Sequence, residues 1–186
     1  DGDRVAVPAD TVDLMVCTHG RRDACCGSLG AAMHQELEGL LAATPDASTR
    51  LWRSSHTGGH RFAPPALTFP DGYGWAHLTA EVAQRLAGRD GPPADFAAHC
   101  RGTSLLDGGP AQAADRAALV ATGWDCLVAR RTARVVAYER DTLATTVRVD
   151  GELADGRAVA LEVRVEVDSH IPMPTCGVVA GPEYVV

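Results

Sequence analysis

Apolar and polar positions along this chain change period several times, and each change predicts an element. The run TVDLMVC, residues 11–17, is short, apolar and rich in β-branched residues, and it predicts a buried strand ending at Cys17. From Ser28 the period lengthens. Leu29, Met33, Leu37, Leu40 and Leu41 fall at i, i+4, i+8, i+11 and i+12, one face of an amphipathic helix that stops near Pro45. Residues 17–27 are then a strand-to-helix loop. TRLWRSS, residues 49–55, predicts a second strand, and ALTFPDGYGWAHL, residues 66–78, predicts a hairpin turning at Pro70-Asp71-Gly72. Thr79 can cap a helix running to Ala87, which Gly88 ends.

Strand, helix, strand, strand, strand, helix is the thioredoxin-like order. Residues 1–90 are therefore expected to form an α/β unit, a central mixed sheet flanked by helices. Residues 89–112 are rich in Gly and Pro and read as a connector, followed by a short helix, AADRAALVATGW, ended at Gly123. Farther on, Val159, Leu161, Val163, Val165 and Val167 alternate with polar or small residues, the signature of a half-buried strand. Residues 133–138 and 143–149 supply its neighbours, with Asp150-Gly151 and Asp155-Gly156 marking the turn between. Residues 91–186 are thus expected to be connector, helix and antiparallel β extension, packed on the first unit.

Composition narrows the function. The chain has 186 residues, 46% of them hydrophobic, enough for a real core. Its apolar runs fall far short of the roughly 20 residues a spanning helix needs, so no membrane partner is expected. It begins at Asp1 without a methionine, as a trimmed piece of a longer chain would. The net charge is −7, and apart from Arg21-Arg22 and Arg130-Arg131 the basic residues are scattered, which argues against nucleic acid. Six cysteines are too sparse for a disulfide scaffold, and the economical reading is reduced thiols in a cytoplasmic protein, some of them metal ligands.

Two segments carry candidate chemistry. CTHGRRDACCGSLG, residues 17–30, places Cys17 and Cys26 on the loop that starts a helix, where the helix N-terminus and the nearby arginines favour a thiolate. SSHTGGHRF, residues 54–62, places His56 and His60 around two glycines, which makes it a loop whose backbone can approach a compact ligand closely. In the expected topology both loops leave the same end of the sheet. Two Cys and two His suit either a tetrahedral zinc or a [2Fe-2S] cluster of mixed ligation, and the wide cysteine spacing tilts toward the cluster. Arg61, Gly58 and Gly59 are candidates to support the ligands from behind, and equally to serve the fold alone. Of the remaining candidates, His19 can hydrogen-bond within the cysteine loop or face solvent. Cys100, Cys126 and Cys176 are isolated and read as packing residues, and Trp52, Trp75 and Trp124 as core or surface seams.

CTHGRRDACCG, SSHTGGHRFAP and the later CRGTSLLDGGPAQAADRAAL together resemble the sucrase/ferredoxin-like family, placed with the thioredoxin-like [2Fe-2S] ferredoxins. The resemblance implies a cluster held by Cys17, Cys26, His56 and His60, with Cys26 preferred to Cys25 because it precedes the glycine. It also implies an electron carrier more than an enzyme, fed by a donor such as a flavin-dependent reductase, serving an unidentified acceptor and able to pair as a homodimer. Replacing two thiolates by neutral imidazoles makes the site less negative and raises its potential, as in Rieske centres. The second ring N–H of each histidine then couples electron to proton. Two other readings use overlapping residues: a zinc-stabilised interaction module on the same four ligands, and a thiol oxidoreductase, disfavoured because the chain contains no Cys-x-x-Cys. No carboxylate pair supports a glycoside hydrolase.

Overall fold

A computed structural model describes residues 7–21, 24–44, 48–171 and 181–186, with the backbone alone at residues 60, 169–171 and 181–183. Arg22, Pro45 and Cys176, singled out above, lie outside the described residues. The chain divides into two compact units, residues 1–70 with 75–91, and residues 71–74 with 92–186.

In the first unit β1 (Val12–Cys17) lies between β2 (Thr49–Ser54), parallel to it, and β3 (Ala66–Phe69), antiparallel to it, so the sheet is mixed. Val12, Leu14 and Val16 are buried, whereas Asp13 and Met15 on the other face are half-exposed. On that open face Asp13 accepts from both Arg50 and the Trp52 indole, at 2.6–2.7 Å, beside a shallow depression of about 330 Å³ that Met15 and Phe69 complete. The helices α1 (Ala31–Ala42) and α2 (Ala80–Ala87) pack on each other, and Gln84 of α2 donates to the Leu40 carbonyl. The helix α2 has the expected limits: the Thr79 hydroxyl accepts from Val82 N–H at 3.3 Å, and Gly88 follows its last turn.

One expectation about α1 fails. Residues 26–30 form a turn of π-helix before α1, which inserts extra residues and rotates the apolar stripe. Met33 and Leu37 are buried as expected, but Leu29 is 51% exposed.

In the second unit, residues 89–112 are not a plain connector. They contain a 3₁₀ turn at Pro93–Phe96 and the strand β5 (Cys100–Thr103), and α3 begins at Gly109 and runs to Thr122, with Pro110 in its first turn. The hairpin strand β4 (Tyr73–Trp75) contributes Tyr73 and Gly74 to this unit, where Thr103 and Ser104 hydroxyls donate to the Asp71 and Gly72 carbonyls. The antiparallel sheet runs β6 (Arg130–Tyr138), β7 (Thr145–Glu152), β8 (Ala158–Ile171), β9 (Gly181–Val185), and α3 packs on it. Val159, Val163 and Val165 are buried, as the alternation requires. Asp150 and Gly151, expected to mark a turn, pair instead within β7 against Ala160 and Val159. A side chain at Gly151 would press on Arg131 across the β6–β7 pair, so this glycine serves close strand approach, and the turn falls at Asp155 and Gly156. Among the described residues no helix is long and apolar enough to cross a membrane.

Candidate metal centre

Parallel pairing of β1 and β2 sets the site. Cys17, the last residue of β1, is in register with Ser54, the last of β2, and Thr18 N–H donates to the Ser54 carbonyl at 3.2 Å. Both following loops therefore leave the same end of the sheet, side by side. Cys17 is wholly buried, and Cys26, carried back by the helical segment that opens at residue 24, is 1% exposed. The two thiols are hydrogen-bonded partners. Cys25 is half-exposed, so burial and proximity single out Cys26 as the partner of Cys17.

The cysteine loop closes tightly enough to exclude side chains at two positions and to crowd one at a third. A methyl group on Gly20 would lie 3.1 Å from the Gly27 Cα, one on Gly27 would overlap Gly20, and one on Gly30 would overlap the Cys17 carbonyl. These glycines were visible in the sequence beside the cysteines; their role in bringing Cys26 to Cys17 was not inferred from it. Gly58 and Gly59 adopt φ of 83° and 72°, successive left-handed residues that turn the second loop.

Charge at Cys17 results from opposed effects. Burial raises its pKa, but the backbone N–H groups of His19 and Thr57, the Cys26 thiol and the Thr57 hydroxyl together outweigh burial and hold the thiol below its ordinary value. Thr57 is the residue after His56, so the second loop reaches the first cysteine directly. His19 acts through its backbone amide, a contribution that residue type could not reveal. The Thr57 hydroxyl acts on the sulfur without the geometry of a full hydrogen bond. It is buried and, like Nε and Nη1 of Arg61, lacks a hydrogen-bond partner among the described residues.

The four expected ligands are placed unequally. Cys17 and Cys26 meet; His56 is exposed; His60 begins a 3₁₀ turn, His60–Phe62, and its ring is outside the described side chains. Among the described residues no three His, Cys, Asp or Glu side chains gather as a metal site. What is gathered fits a soft metal group: paired buried sulfurs, one held below its ordinary thiol pKa, with the Thr57 amide and hydroxyl beside it. Cys100 and Cys126 are buried in the second unit with their thiol pKa values raised, Cys100 to about 12, chiefly by burial. They are inert packing residues. Trp75 is likewise core, its indole donating to Thr68 at 3.0 Å; Trp124 packs on Phe96, and Trp52 is 48% exposed.

Comparison with known proteins gives a family and a set of structural likenesses. The sucrase/ferredoxin-like family model matches residues 4–101. No curated protein matches the chain. Among solved structures, the thioredoxin-like [2Fe-2S] ferredoxin from Aquifex aeolicus is similar at 15% identity and a TM-score of 0.39, over 44% of this chain and 81% of that one. A second structure of that ferredoxin, the wild type, gives the same identity and TM-score over 44% of this chain and 86% of the other.

Proposed function

The chain belongs to the sucrase/ferredoxin-like family, and from that premise we propose that it is a one-electron carrier holding a [2Fe-2S] cluster on Cys17, Cys26, His56 and His60. The observation that carries the proposal is the convergence at Cys17: a buried thiol biased toward thiolate by Cys26 from one loop and by Thr57, neighbour of His56, from the other. When bound, the cluster would accept and release single electrons. Cys17 and Cys26 supply the sulfurs from the rigid end of β1 and the first turns of the helix. His56, itself exposed in a half-buried loop turned by Gly58 and Gly59, would place the histidine side nearer solvent, where an electron partner can approach.

Protons are the finer part of the reading. Each imidazole, bound through one nitrogen, keeps a proton on the other and releases it more readily when the site is oxidised than when it is reduced. The potential then falls as pH rises through the histidine pKa of the oxidised site.

Freshly purified protein is expected to be coloured and to contain iron and acid-labile sulfide. Cys17→Ser should abolish both. His56→Cys and His60→Cys should retain a cluster, lower its potential and flatten its pH dependence. Colourless protein carrying zinc alone would overturn the electron-carrier reading in favour of a structural metal module, and an unchanged pH slope in both histidine variants would remove the proton coupling.

A further inference from the structure

The guanidinium of Arg61 is in an unusual position for a cation. Its central carbon stacks 4.5 Å from the Phe62 ring centroid, while Nε and Nη1 are sealed from solvent and meet no acceptor among the described residues. A ring face attracts the positive charge but accepts no in-plane N–H, so the stack leaves both donors unanswered. Buried arginine donors are normally matched by a carboxylate or by carbonyls, because a desolvated and unpaired cation is costly. One residue on from His56 in the same loop, the Thr57 hydroxyl is sealed too and makes no full hydrogen bond among the described residues. Among the described residues these three orphaned donor atoms sit on the residue that follows His56 and the residue that follows His60, so they flank both expected histidine ligands with groups that seek an acceptor.

We infer that Arg61 is the counter-cation of this site: its Nε and Nη1 hydrogens, assisted by the Thr57 hydroxyl, donate to the sulfur side of the bound cluster and favour its reduced form. The inference rests on the cluster reading and adds a residue that sets the potential without ligating iron. At pH values below the histidine pKa of the oxidised site, where no proton accompanies the electron, each electron accepted from a one-electron reductant adds one negative charge. A fixed cation and two fixed donors stabilise that charge more than they stabilise the oxidised site, so they raise the potential. Arg61 is thus a positioning and charge-setting residue.

The test is a dye-mediated titration of iron-loaded protein with dithionite, followed in the visible spectrum, for wild type, Arg61→Gln, Arg61→Lys and Thr57→Val. Arg61→Gln is expected to shift the reduced-to-oxidised ratio about tenfold toward oxidised at a given potential, equivalent to about 59 mV for one electron. Thr57→Val should shift it the same way by less, and Arg61→Lys should lie between wild type and Arg61→Gln. Loaded Arg61→Gln with the wild-type spectrum and wild-type potential would overturn the inference. If Arg61→Gln does not load iron, Arg61→Lys decides: loading supports the counter-cation, and failure to load shows that Arg61 serves folding instead. Wild-type protein without iron would be the failure of the cluster reading itself, a separate result.

Discussion

Arg131 in the second unit and Arg61 in the first are both arginines with sealed donors, and their surroundings could hardly differ more. The Arg131 side chain, 5% exposed, has every direction filled. Nε and Nη2 grip the wholly buried carboxylate of Asp115, Nη2 also reaches the Tyr73 hydroxyl, and Nη1 donates to the Cys126 and Ala129 carbonyls. Burial would weaken the Arg131 charge, but Asp115 reverses that and its pKa is raised; Tyr73 is held as the neutral phenol, mainly by burial. A fully answered buried network of this kind fixes one packing of helix, strand and hairpin, and it has no capacity left for a ligand. Among the described residues Nε and Nη1 of Arg61 have no acceptor. The difference separates a residue that completes the fold from one whose donors the described chain leaves unanswered.

The comparison can be attacked at three points. Removing the carboxylate should do the most damage: Asp115→Ala leaves Arg131 buried and unpaired, and urea unfolding should show a loss of about 3–5 kcal/mol. A loss under about 1 kcal/mol would mean that the network is not what holds this unit. Tyr73→Phe removes one acceptor from a guanidinium that keeps four others, so the expected loss is smaller, about 1.5–3 kcal/mol by the same measurement. The smallest effect concerns His34 on α1, whose buried Nδ1 also lacks a partner among the described residues. Burial, with Arg53 facing it from β2, lowers its pKa, and Glu38 one turn on opposes the shift only in part. The folded protein therefore binds this proton less readily than the unfolded chain, and stability falls as pH drops below the ordinary histidine value of 6.5. The slope for one site cannot exceed about 1.4 kcal/mol per pH unit, and His34→Gln should flatten the profile relative to wild type. Parallel profiles would show that His34 is solvated in solution and unlike Arg61.

Legibility from sequence followed the range of the interaction. The helix α2 could be read to the residue because Thr79 and Gly88 act on backbone groups within one turn. The strand β8 showed its buried face through a period of two, and the convergence of the cysteine and histidine loops followed from strand order. Strand β5 escaped notice because it is short and contains Gly102, at φ 80°, where a side chain would strike the Gln112 backbone of α3. The turn of π-helix before α1 has no signature in hydrophobic spacing, and it exposed Leu29. Asp115 lies in the short helix expected over AADRAALVATGW, and nothing in its spacing points to Arg131, which only folding brings to it.

Because β1 and β2 run in the same direction and end level with each other, the chain between them takes no part in aligning Cys17 with the loop that carries His56. Strand pairing thus fixes where the two loops start, and the length of α1 answers only to its own packing on α2.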